Sequence, residues 1–399
     1  MPGTPSRRAF TAALLAATAL APMTRTFASA AQAESLDRYG EDDDTPHGLG
    51  PELTSRLDKA IEDVRAQAGI PGVVVGLWMP GRGSYVRATG VADVTTGAPM
   101  TTDLFTRIGS ETKTFTVTAL LELVDDGRIR LDDPIAAYVD GVPNGDCITL
   151  RQLAEMRSGL FPYTADPDFA QALEGDPSRP FTPQEVLAYG FKHCNTFAPG
   201  EEFQYSNSNL ILLGLVIEKV SGHSLTDFLD ERVLRPAHLR HTLLPRGAEF
   251  PMPHPRGYTN QTPTGATVDS TDWNPSWGWA AGAMISNLQD LRRWAEIVAT
   301  GALLRPHTQR ERLKVLPTGF PGTSYGLGIF VTNGWIGHNG SIPGYESVTV
   351  YLPSQKATLV IQINTDISFQ GQEPSTLLAR AVTSIATPDN VYDGAVPAR

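Results

Sequence analysis

Ser110 and Lys113 lie three residues apart in the stretch IGSETKTF, residues 108–115. A serine hydroxyl is a weak nucleophile until a base takes its proton. A lysine can be that base only if burial or nearby cations hold its amine partly neutral. If Ser110 opens a helix, Lys113 sits one turn on, over the same face. The helix start would also aim the Ser110 N–H at a developing oxyanion. The same two residues also read as a helix cap followed by a solvated lysine. Lysine is scarce here, confined to Lys59, Lys113, Lys192, Lys219, Lys314 and Lys356, and only Lys113 has a serine three places before it.

Two later motifs offer partners. Tyr205-Ser206-Asn207 stands just before a helical pattern. Its phenol could relay protons, and Asn207 could donate to a substrate carbonyl. A buried aromatic followed by capping residues is the structural alternative. Tyr258-Thr259-Asn260 repeats the Y-x-N pattern in Pro- and Thr-rich surroundings and reads as a decoy. Gly337-His338-Asn339-Gly340-Ser341 closes a strand-like run. There a histidine could tune proton affinity or bind an anion. Gly340 could let substrate lie against the strand, and the Ser341 N–H could be the second oxyanion donor. An edge histidine with turn glycines is the alternative. His238 and His241 have ligand-like spacing but no third ligand, so neither metal nor cofactor is expected.

The elements that must position these residues can be read in order. Leu53, Leu57, Ile61 and Val64 recur at helical spacing, and two β-branched runs over 73–79 and 85–91 form a hairpin. After the Ser110 helix, which Gly127 stops, the region is mainly helical. Thr149 with Gln152, Thr182 with Pro183 and Glu185, Ser224 with Asp227, and Asn287 with Asp290 mark helix starts. Residues 245–279 look like a surface excursion. Strand-like runs return over 327–364, and a helix spans 375–385. Strands at both ends around a helical insertion predict an α+β fold: an antiparallel sheet flanked by helices plus an all-α lobe, with a cleft between them. The expected boundaries are 51–386 for the folded part, with the sheet part at about 51–127 and 280–386 and the helical lobe at about 128–279. A flexible acidic leader would span 34–50 and a disordered tail 387–399.

S-x-x-K, Y-x-N and H-x-G in this order resemble the penicillin-recognising serine hydrolases. The resemblance is nearest to the serine D-alanyl-D-alanine carboxypeptidases, with class C β-lactamases and related esterases as relatives. Residues 150–160, 205–209, 217–224, 269–271, 276–277, 281–286 and 325–328 also carry it. It implies Ser110 as acylated nucleophile, Lys113 and Tyr205 as proton-transfer partners, and His338 as an electrostatic residue. Thr164 and Trp277 match positions that line the carboxypeptidase cleft. Two positions depart from that pattern. Asn339 replaces a threonine that helps hold the substrate carboxylate, and Ile329-Phe330-Val331 stand where an arginine is expected. Losing a charge-assisted partner costs roughly 1.5–3 kcal/mol. The expectation is a D-alanyl-D-alanine carboxypeptidase acting on cell-wall peptides. An esterase or β-lactamase with the same Ser-Lys-Tyr site, or a penicillin-binding sensor with little turnover, are the alternatives.

The 399 residues carry 41% hydrophobic and 19% charged side chains, an ordinary globular mix. A net charge of −11 argues against nucleic acid or anionic lipid as partner. Small peptides, esters or β-lactams fit better. Residues 1–33 read as a cleaved export signal, with Arg7-Arg8 pointing to the twin-arginine route and a secreted product. Its apolar run is too short to span a bilayer. Cys147 and Cys194 are the only cysteines, and a structural disulfide is expected in an exported protein.

Overall fold

The structure, a computed structural model, describes residues 48–394. The expected export signal and nearly all of the leader lie outside the described residues. Eight strands form one antiparallel sheet: β1 (Gly72–Met79), β2 (Gly83–Gly90), β3 (Leu316–Pro317), β4 (Thr323–Tyr325), β5 (Phe330–Thr332), β6 (Trp335–Ile342), β7 (Tyr345–Leu352) and β8 (Ala357–Ile363). Their spatial order is β2-β1-β8-β7-β6-β5-β4-β3. Both ends of the chain therefore build one sheet, and β1 pairs with β8.

Strand side chains alternate between two faces. In β1, Val73, Val75, Leu77 and Met79 enter one core, while Val74 and Trp78 enter the other. Five long helices surround the sheet: α1 (Pro51–Ala68), α2 (Thr112–Asp125), α3 (Asn207–Ser221), α4 (Leu288–Thr300) and α5 (Pro374–Ala386). Leu57 and Ile61 of α1 and Leu378 and Val382 of α5 cover the first face. On the other side, α4 sets Ala295 and Ala299 against Tyr351 of β7. Helix α2 has buried residues all round, as an apolar helix at the centre of a fold requires. Short helices at Leu150–Ala154, Pro167–Gly175, Pro183–Phe191 and Leu225–Leu229 complete the helical region beside α2 and α3. This is the α+β fold expected from the sequence.

Local signals explain several of these boundaries. Thr149 and Gln152 form a reciprocal capping box, and Thr182, Ser224 and Asn287 each accept from the backbone N–H three residues on. Among the described residues no helix is long and apolar enough to cross a membrane.

Three expectations need correction. The tail is packed as far as residue 394: Thr387 and Tyr392 are buried, and Trp335 Nε1 donates to Asn390 O at 2.7 Å. The end of the leader is also held, because Leu49 is buried and its N–H bonds Ser84 O at 3.1 Å. Cys147 and Cys194 are free and exposed, one beside the Asn144 turn and the other beyond the helix Pro183–Phe191. No spacing rule could have told a bridged pair from two surface thiols.

Candidate active site

Ser110 lies in a 3-10 turn, Gly109–Glu111, that feeds directly into α2. The turn is secured by Thr112 Oγ1, which bonds Gly109 O at 2.7 Å and accepts from Met284 N at 3.0 Å. Lys113, one turn on, is fully buried. Its Nζ lies 2.8 Å from Ser110 Oγ and 2.7 Å from Ala281 O. Burial alone drives its pKa well below 10.5. Glu111 is the adjacent acid, and it is also buried. Its oxygens form no hydrogen bond of normal geometry, and burial raises its pKa to about 8 against the opposing pull of the Ser347 and Thr349 hydroxyls. At neutral pH it is therefore an uncharged acid, and it supplies no counter-ion that would hold Lys113 protonated. A neutral amine on Ser110 Oγ has a lone pair able to accept the hydroxyl proton.

Tyr205 completes this group. Lys113 Nζ lies 4.8 Å from the centre of its ring, and its phenol faces Ser110. Burial pushes the phenol far above its ordinary pKa, so it remains protonated and able to relay a proton. Met156 holds this segment in place. Its carbonyl accepts from Gln204 N at 2.9 Å and its sulfur from Ser206 N at 3.5 Å, with Met156 itself at a φ of 60°.

The end of β6 supplies the third side. Strand β5 pairs β6 only over Trp335–Gly337, leaving the rest of that edge to face the Ser110 turn. The approach is close: a Cβ on Gly340 would stand 1.9 Å from Ile108 O, and one on Gly109 2.6 Å from Ser341 N. Gly109 also has a φ of +49°. The contact brings Ser110 and Ser341, the two expected oxyanion donors, to the rim of one cleft. Gly340 thus makes room for the Ile108 carbonyl, not for a substrate.

His338 and Asn339 are placed differently from expectation. His338 is buried among Tyr205, Tyr325 and Phe330, with Nδ1 on Asn339 O and Nε2 3.3 Å from Tyr325 OH. Burial, and then the nearby Lys113, push its pKa down to about 3. A neutral, enclosed imidazole cannot bind an anion, so its contribution is confined to packing and polarity around Tyr205. Asn339 turns to the opposite face of the sheet, where Nδ2 donates to Glu373 Oε2 at 2.7 Å. Neither residue lines the cleft.

The cleft has a volume of about 620 Å³. Asn207, Thr164 and Trp277 line it, and Trp277 is held through its carbonyl by Tyr163 OH at 2.6 Å. Phe169 and Leu173 add an apolar wall. Glu346, Asp366 and Glu373, with Glu174, make its lining acidic, and among the described residues no lysine or arginine side chain lines it.

The family model Beta-lactamase matches residues 57–383. The chain belongs to the beta-lactamase family. A D-aminopeptidase of Brucella anthropi is 29% identical over 331 residues, 79% of this chain and 61% of that protein. A D-stereospecific amidohydrolase from a Streptomyces species superposes with a TM-score of 0.75 at 29% identity, covering 84% of this chain and 99% of the other. The D-amino acid amidase from Ochrobactrum anthropi SV3, complexed with D-phenylalanine, gives a TM-score of 0.76 at 27% identity over 84% and 99% of the two chains. The chain spans about three-fifths of the length of the curated relatives it matches.

In this beta-lactamase-family chain the acidic end of the cleft escaped the sequence reading. Glu346, Asp366 and Glu373 come from β7, the turn after β8 and the start of α5, and no local spacing links them. Asn260 also lines the cleft, although its Y-x-N tripeptide reads as a decoy. The pair Tyr258–Thr259 with Val268–Asp269 turns this stretch inward, so the supposed excursion forms one cleft wall.

Burial of Glu373 should lower stability at higher pH. Its pKa is raised by burial to about 7, whereas an exposed glutamate titrates near 4.5. Below the lower value both folded and unfolded chains hold the proton, and no cost arises. Between the two values the unfolded chain loses it first, so stability falls as pH rises and the full cost applies above the upper one. Glu373→Gln should therefore raise the thermal midpoint near pH 8 by on the order of 2–4 °C, and not near pH 4. Calorimetric unfolding at the two pH values checks this.

Proposed function

We propose that this chain is a serine amidohydrolase that cleaves amide or short peptide bonds through an acyl-Ser110 intermediate, with an acyl donor that carries an ammonium group. The supporting observation is the buried Lys113 amine, 2.8 Å from Ser110 Oγ and without a carboxylate partner. In this reading Lys113 takes the Ser110 proton as Oγ bonds to the substrate carbonyl carbon. The carbonyl electron pair moves onto oxygen, where the N–H groups of Ser110 and Ser341 receive it. The C–N bond then breaks, and the leaving nitrogen gains the proton by way of Tyr205. Water repeats the sequence on the resulting ester, giving its proton to Lys113 and restoring Ser110.

The walls of the cleft favour this donor over the carboxypeptidase substrate. A terminal carboxylate would meet Glu346, Asp366 and Glu373, and among the described residues no lysine or arginine lines the cleft to pair with it. The D-aminopeptidase, the D-stereospecific amidohydrolase and the D-amino acid amidase among its relatives support a D-aminoacyl donor. Export through residues 1–33 would place the reaction outside the cytoplasm.

The test is to incubate the protein with D-phenylalaninamide, L-phenylalaninamide and N-acetyl-D-Ala-D-Ala, and to map labelling by a fluorescent penicillin. Ammonia release from the D-amide and an adduct on Ser110 are expected. Faster release of D-alanine from the blocked dipeptide would replace this reading with the carboxypeptidase one. Failure of every probe to acylate Ser110 would remove it.

A further inference from the structure

The acidic end of the cleft is built unevenly. Asp366 is satisfied: it accepts from Gly344 N at 2.9 Å, Thr259 Oγ1 at 3.1 Å and Gln261 Nε2. Glu373 is not. Glu346 is only 2% exposed and accepts from Ser375 N at 2.9 Å through Oε2. Glu373 accepts from Asn339 Nδ2 through Oε2, and its buried Oε1 forms no hydrogen bond of normal geometry, although the Thr376 hydroxyl stands beside the carboxyl. Both line the same cleft as Ser110. Glu346 also stands directly opposite Ser341 in the β6–β7 register, within a cross-strand neighbour's distance of an expected oxyanion donor.

Glu346 on β7 and Glu373 at the start of α5 repel one another, and Asp366 adds to the repulsion on Glu346. The groups that help them are neutral: the Asn339 amide, the Ser375 N–H, and the hydroxyls of Ser375 and Thr376. Buried like charges are costly unless a cation or a proton intervenes. An alkylammonium has three donors and one positive charge, which matches the free oxygen and the missing counter-charge together.

We propose that Glu346 and Glu373 form a receptor for a substrate ammonium, at the end of the cleft that begins at Ser110. The proposal deepens the amidohydrolase reading and rests on it for the identity of the ligand. The ammonium could be the α-amine of the acyl donor or a side-chain amine further along the substrate, and the probes separate the two.

Binding is measured by titration calorimetry on the Ser110→Ala protein, alone and with Glu373→Gln or Glu346→Gln. The probes are D-phenylalaninamide, its N-acetyl derivative and N-acetyl-D-lysinamide. Turnover is not read, so failure of the hydrolysis reading leaves this outcome interpretable. An α-ammonium receptor should bind D-phenylalaninamide at least tenfold more weakly in either glutamine variant, with acetylated D-phenylalaninamide unchanged. A side-chain receptor should show that loss for N-acetyl-D-lysinamide instead. The proposal is overturned if no amine binds the parent protein, if the amines bind the glutamine variants as tightly as the parent, or if acetylated and free ligands weaken equally.

Discussion

Lys113→Ala should slow acylation of Ser110 by about 10²–10⁴-fold, the usual worth of a positioned general base. The effect is expected to be that large because the amine lies 2.8 Å from the hydroxyl and has no acid holding it charged. Lys113→Arg should be equally impaired, since a guanidinium keeps its proton and cannot accept another. Folding should survive: alanine removes a fully buried amine whose desolvation opposes stability, at the expense of the bond to Ala281 O. Stopped-flow labelling with a penicillin or a p-nitrophenyl ester reads the rate, and thermal unfolding reads the fold. A Lys113→Ala protein that acylates at the parent rate would leave Ser110 without its base.

A loss of about 10²–10³-fold is expected from Gly340→Ala, comparable to removing one oxyanion donor. A methyl group there would stand 1.9 Å from Ile108 O, a backbone atom that cannot rotate away, and 2.9 Å from Ser347 Oγ. Relief requires the Ser110 turn and β6 to separate, which draws the Ser110 and Ser341 N–H groups apart. Gly109→Ala should act in the same way from the other side, with added strain at a φ of +49°. Both variants should lose kcat more than they raise KM, because the donors act on charge that develops in the transition state. Steady-state kinetics with an uncharged ester separates the two parameters. Retention of parental kcat in Gly340→Ala would mean that this contact does not set the geometry of the site.

Much of the fold was legible because its signals are local. The β1–β2 hairpin, the capping threonines, serine and asparagine, and the helix of 374–386 follow from short-range rules. The Ser110–Lys113 pair is local in the same sense, since one helical turn sets it. The remainder of the site depends on distant contacts. Nothing near Glu346 announces Glu373, because β7 and α5 meet only in the folded sheet. Asn339 and Gly340 alternate across β6, so one strand sends His338 toward Tyr205 and Asn339 to the opposite face. Tyr392 lies in a polar, aperiodic segment whose burial depends on a groove made by other elements.

The most direct measurement is the titration of Lys113 itself. With the Lys113 side chain observed by isotope-edited NMR, assigned from Lys113→Arg, a titration midpoint well below the ordinary lysine value is expected. An ordinary ammonium titrating at its usual 10.5 would contradict it.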